Sequence, residues 1–177
     1  MRGLLIVLLA LSACQLPLGR AGTPGTGARQ APATSPVETF DLVRAERAVL
    51  DGVNRARTER DLQPMRPNAA MAEAARQHAM ELAARGELDH ASVQVGRETF
   101  AKRLSLAGAP DWTLAGENLM MLPHPTPDVA ADAVLGWLGS ASHRTQMLEP
   151  GYSDTGVGIA RDARGDWYIV QLFVRRR

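Results

Sequence analysis

Apolar residues recur every three to four positions through most of the chain and run almost unbroken near its end, a change of period that predicts helices followed by strands. Leu42, Ala45, Val49, Val53 and Ala56 keep helical spacing, with Arg44, Arg47, Asp51 and Arg55 elsewhere on the wheel. This first helix ends before Leu62-Gln63-Pro64. Asn68 is the expected N-cap of a second helix with the stripe Met71, Ala75, His78, Ala79 and Leu82, stopped by Gly86. Phe100 to Leu106 predicts a third, short helix. Thr126 followed by Pro127 predicts the cap and first position of a fourth, running through Val129, Ala133 and Trp137. Ser142 is the expected cap of one last turn from His143 to Leu148.

Two strands, Gly156 to Arg161 and Asp166 to Val174, flank Asp162-Ala163-Arg164-Gly165 and read as an antiparallel hairpin. The second strand is apolar on both faces: Trp167, Ile169 and Phe173 on one, Tyr168, Val170, Leu172 and Val174 on the other. Such a strand belongs in the centre of a sheet covered on both sides, with Gln171 as its odd polar member. Leu119 to Leu122 supplies a third strand. The expected fold is therefore α+β, a three-layer α/β/α sandwich around a mainly antiparallel sheet.

Ahead of these elements stands a different kind of sequence. Arg2 and the apolar run Gly3 to Leu11 have the form of an export signal, too short for the roughly 20 residues that span a bilayer. Leu11-Ser12-Ala13-Cys14 resembles the lipobox of bacterial lipoproteins, which implies lipidation of Cys14 after residues 1–13 are removed, the alternative being an ordinary signal peptide with an incidental cysteine; in an enterobacterial-type cell Gln15 in the next place favours the outer membrane or cell surface. Residues 14–38 are rich in Gly, Pro, Ala and Thr and read as a flexible tether, leaving 39–177 as the folded domain. Cys14 is the single cysteine, so stability rests on packing, with Trp112, Trp137 and Trp167 as expected contributors. The formal charge of +1 falls to about zero once Arg2 is removed, which excludes a strongly basic nucleic-acid binder.

Six short motifs follow one another in the domain: Val53-Asn54-Arg55-Ala56-Arg57, Ala75-Arg76-Gln77-His78-Ala79, Leu88-Asp89-His90, Gly116-Glu117-Asn118, Trp137-Leu138-Gly139-Ser140-Ala141-Ser142-His143-Arg144 and Gly156-Val157-Gly158. In this order they resemble the CAP superfamily of cysteine-rich secretory, antigen 5 and pathogenesis-related proteins, in its bacterial disulfide-free branch, from about Leu50 to Phe173. The resemblance implies the α/β/α sandwich and a cleft of two histidines and two glutamates that in some members binds a divalent metal. By position, His90, Glu117 and His143 match three of the four, and Ser140 stands where the second glutamate is expected. Two imidazoles and one carboxylate suit Zn²⁺ or another divalent ion with an open fourth place. The same three residues equally suit a hydrogen-bonded cluster that fastens helices to the sheet.

Other residues take plainer readings. His78 lies on an apolar stripe and is expected in the core with one hydrogen bond, whereas His124, between Pro123 and Pro125, is expected in solvent. Met120 and Met121 suit packing. Arg175, Arg176 and Arg177 form either a frayed tail or a contact for anionic headgroups. Two function classes remain. One is a non-enzymatic, lipid-anchored envelope module that binds a lipid, glycan or wall fragment in the cleft. The other is a hydrolase using metal-bound water, or Ser140 or Ser142 activated by His143 and oriented by Glu117.

Overall fold

The computed structural model describes residues 36–109 and 111–177; the export segment, Cys14 and nearly all of the tether lie outside the described residues. Five helices and four strands follow in chain order: α1 (Pro36–Thr58), β1 (Arg66–Pro67), α2 (Ala69–Arg85), α3 (Phe100–Leu106), β2 (Trp112–Leu122), α4 (Val129–Gly139), α5 (Ala141–Met147), β3 (Asp154–Arg161) and β4 (Trp167–Arg176). Among the described residues, no helix is long and apolar enough to cross a membrane.

The strands form one sheet in the order β1-β3-β4-β2, antiparallel except where β1 runs beside β3. The two apolar faces of β4 enter two different cores. Ile169 and Phe173 join Val49, Val53, Trp137, Met147 and Val157 beneath α1, α4 and α5. Tyr168, Val170, Leu172 and Val174 join Met71, Ala75, Leu82 and Leu104 beneath α2 and α3. This is the expected three-layer α+β sandwich, with β4 as the shared wall. Gln171 is fully buried and donates to Thr155 Oγ1 at 3.0 Å.

The second helix is bounded as predicted: Asn68 accepts from the Met71 N–H, and Gly86 closes the helix in the left-handed region at φ 71°. Gly156 and Gly158 let α2 lie directly on β3. A Cβ at Gly158 would stand 2.0 Å from the Arg76 nitrogen, and one at Gly156 would stand 2.2 Å from the Ala72 nitrogen.

Several expectations need correction. The cap of α4 is Asp128, which accepts from the Ala131 N–H; Thr126 instead accepts from the Asp128 N–H, and Pro127 precedes the helix. The last helix starts at Ala141 with Ser140 at the cap position, so Ser142 lies inside its first turn. The third strand extends back to Trp112, and α1 begins at Pro36, before the expected domain start. Trp137 is fully buried, whereas Trp112 and Trp167 are only half-buried. Arg175 and Arg176 are strand residues rather than a frayed tail: Arg175 donates to Thr113 Oγ1, and Arg176 pairs with Asp154 at 3.3 Å. The two-residue β1 carried too short a pattern to find, although Pro67, which has no N–H, suits its edge position.

Candidate functional site

The site gathers around β2, an edge strand whose alternating side chains reach both layers. Glu117 points toward α2 and α3, because it shares a face with Leu119, while Asn118 points toward α5. Glu117 is buried, with a side chain only 1% exposed, and both of its oxygens are engaged. Oε1 accepts from His90 Nδ1 at 2.9 Å, and Oε2 accepts from Arg103 Nη2 at 2.6 Å. Since a carboxylate only accepts, the proton on His90 is fixed at Nδ1 and the Nε2 edge is left to the cleft. The His90 side chain is 61% exposed.

His90 sits on the loop between α2 and α3, and three buried polar side chains hold that loop. His78 Nε2 donates to the Asp89 carbonyl at 3.0 Å. Glu81 accepts from the Ser92 hydroxyl at 2.5 Å and from the Val93 N–H at 2.7 Å. Arg103 donates to the His90 carbonyl at 3.0 Å and to the Arg97 carbonyl at 3.1 Å. The loop itself is mostly exposed, with Ser92 its buried residue, so these bonds pin an otherwise solvent-facing segment to the core from below. His78 therefore has the core role expected of it, and His124, with a side chain 84% exposed, is the solvent residue expected.

His143 approaches from the opposite layer, in the first turn of α5, with its carbonyl accepting from Asn118 Nδ2 at 3.0 Å. The His143 ring makes no hydrogen bond among the described residues. Burial, and then the charge on His90, lower its pKa from the ordinary value. His90 shifts the other way: the hydrogen bond to Glu117 raises its pKa, against burial. Ser140 and Ser142 lie beside His143 with their hydroxyls 3.3 Å apart.

These placements divide the expected set. His90 and Glu117 are in contact, while Glu117 meets Arg103 rather than His143. The residues do not fit a metal site of His90, Glu117 and His143, because both oxygens of the one carboxylate are already engaged, one of them by the cationic Arg103. Among the described residues, no group of three or more His, Cys, Asp or Glu could hold an ion. Nor is a serine–histidine–glutamate relay assembled, since Glu117 orients His90 instead of His143.

Arg103 and Glu81 were missed by the sequence reading. Arg103 lies on the inward face of α3, beside the fully buried Leu104, and a charged residue in such a position is a detectable signal. Arg57 is a similar case: fully buried at the end of α1, it donates to the carbonyls of Gln63, Met147 and Glu149.

Comparisons with known proteins agree with this architecture. The cysteine-rich secretory protein family matches over residues 50–173. The "uncharacterized membrane protein YlbC" of Bacillus subtilis (strain 168) is 30% identical over 132 residues, 75% of this chain and 35% of that protein. The chain thus spans about a third of that relative. An extracellular protein containing a SCP domain from Bacillus anthracis superposes with a TM-score of 0.69 at 23% identity, covering 82% of this chain and 45% of that one. An outer surface protein from Borrelia burgdorferi gives a TM-score of 0.65 at 16% identity, covering 76% of this chain and 94% of that one. With six ordered motifs, a sandwich built around β4 and a family match across nearly the whole folded region, the chain belongs to the cysteine-rich secretory protein (CAP) family.

Proposed function

We propose that the chain is an exported, lipid-anchored CAP-domain protein of the bacterial envelope that binds a ligand, without catalysis, at the cleft of His90, Glu117, Ser140 and His143. One observation carries this reading: the His90 ring is locked by the buried Glu117–Arg103 pair while its outer edge faces solvent. A donor or acceptor fixed in this way recognises a polar group at little entropic cost. The Ser140 and Ser142 hydroxyls add two further polar groups near His143. Lipids, glycans and wall fragments are the ligand classes an envelope location would offer. The anchor is supported by Leu11-Ser12-Ala13-Cys14, and the relatives named above are described as extracellular, outer-surface or membrane proteins.

Equilibrium binding of the purified protein to envelope lipids, glycans and wall fragments tests the cleft. His90→Ala and His143→Ala are each expected to weaken the ligand that binds by about tenfold or more. Binding that both variants leave unchanged refutes the assignment. For the anchor, the mature N-terminal peptide is expected to carry the mass of an acylated cysteine, and Cys14→Ser to remove the protein from the membrane fraction.

The adjacent Ser140 and Ser142 hydroxyls also suit a hydrolase, which would need the His143 ring to take a serine proton. Activity on peptide, ester or glycan substrates that survives chelation and is lost in Ser140→Ala would establish that alternative.

A further inference from the structure

Arg103 is the least expected member of the cleft. Its side chain is 1% exposed, as is that of Glu117, and the two meet at 2.6 Å. The same guanidinium grips the carbonyls of His90 and Arg97, so one group neutralises the carboxylate and ties the loop at two points, one of them His90 itself. We propose that Arg103 is the resident cation of this cleft: a positioning residue that fills the electrostatic place of a divalent ion and makes the cleft independent of metal. This goes beyond the binding reading above and holds whatever ligand the cleft takes.

The +1 of Arg103 and the −1 of Glu117 cancel, so the pair offers an incoming divalent cation no net negative charge and its guanidinium repels it, with Asp89 the other carboxylate felt at His90. A metal on Glu117 would either displace His90 Nδ1 or Arg103 or share an oxygen with one of them, within reach of the guanidinium's repulsion. Displacing Arg103 strands a buried charge, the most destabilising way to break such a pair. Two neutral imidazoles without a carboxylate fall short of the three protein ligands that zinc ordinarily takes. The arginine cannot yield by losing its proton, because its charge persists at every relevant pH.

The test is metal titration of the full-length protein, read by calorimetry with Zn²⁺, by visible absorption with Co²⁺ and by thermal melting with and without metal. The wild type is expected to bind neither ion stoichiometrically and to melt at the same temperature in either condition. Arg103→Met is expected to melt lower, to bind Zn²⁺ about 10–100-fold more tightly than the wild type and to regain melting temperature as metal is added. Arg103→Lys keeps the charge and is expected to go on refusing metal. In Arg103→Met/Glu117→Gln the stranded carboxylate is gone, so stability is expected to recover without metal affinity. Should Arg103→Met fail to fold, a folded double variant and a wild type without binding still support the proposal. One equivalent of Zn²⁺ on the wild type, lost in His90→Ala and His143→Ala, overturns it. So does a folded Arg103→Met that gains no affinity.

Discussion

The three histidines of the site region are set apart by their immediate partners. The hydrogen bond to Glu117 raises the pKa of His90. Burial lowers His78, with Arg103 adding to the effect, and burial lowers His143. The signs give opposite stability trends around the ordinary value of 6.5. The contribution of His90 is fully present below that value and fades as pH rises through its raised folded-state pKa. Those of His78 and His143 are present above it and are lost as pH falls toward their depressed values. An NMR titration of the imidazoles is expected to show His90 titrating above 6.5 and the other two below. Glu117→Gln is expected to bring His90 back down, because it removes the largest cause of the rise; an unmoved His90 would refute the assignment. Residue roles were the least legible feature in the sequence. His90 and Glu117 were found through motif order, but their partner Arg103 lies 14 positions from Glu117 and in no motif. Several motif residues that stand out in the sequence have structural tasks. Asn54 clasps the backbone of Met65 from both sides, and Arg76 meets Glu46, which in turn accepts from the Ile159 N–H beyond the end of short β1.

At the scale of elements, close approach decides more than propensity. The motif Gly156-Val157-Gly158 exists because α2 rests on β3 without intervening side chains. At Gly158 a Cβ would meet helix backbone at 2.0 Å, and neither partner can move without separating the layers. At Gly116 a Cβ would meet Gln146 Oε1 at 2.2 Å, the end of a flexible side chain, and Tyr152 Oη at 2.3 Å, the rim of a buried ring stacked on Phe173. Gly158→Ala is therefore expected to cost about 3 kcal/mol or more, and Gly116→Ala less, through loss of the Tyr152–Gln146 hydrogen bond of 2.6 Å and a shift of the Tyr152 ring, since side chains rather than two backbones must part. Urea denaturation of the two variants checks the order, and equal costs would contradict it. Elements with strong local punctuation were legible: α2 between Asn68 and Gly86 and the seven residues of α3 lie where the pattern put them. Where two capping residues compete, local pattern fails. Thr126 and Asp128 both have the chemistry to cap α4, and the bond from the Thr126 N–H to Asp132 draws Thr126 outside the helix.

For the molecule as a whole, β4 is the member on which both cores depend. Its class was readable because it alternates between two apolar faces, and so the two-sided burial that fixes the sandwich was readable too. The pairing of the sheet was less so, since β1 has two residues and β2 carries the charged and amide residues of the site. Sharing one strand has a mechanical consequence: neither core can open without stripping a face of β4. The domain is expected to unfold in one step although its apolar residues form two separate clusters. Trp137 is fully buried on one side and Leu82 on the other. Trp137→Ala is expected to cost about 3–5 kcal/mol and Leu82→Ala about 2–5 kcal/mol. In scanning calorimetry each variant should shift a single transition whose calorimetric and van't Hoff enthalpies agree. Two transitions, with Trp137→Ala moving one and Leu82→Ala the other, would mean that the layers fold independently. The site would then straddle a joint between them, because Glu117 belongs to one side and His143 to the other.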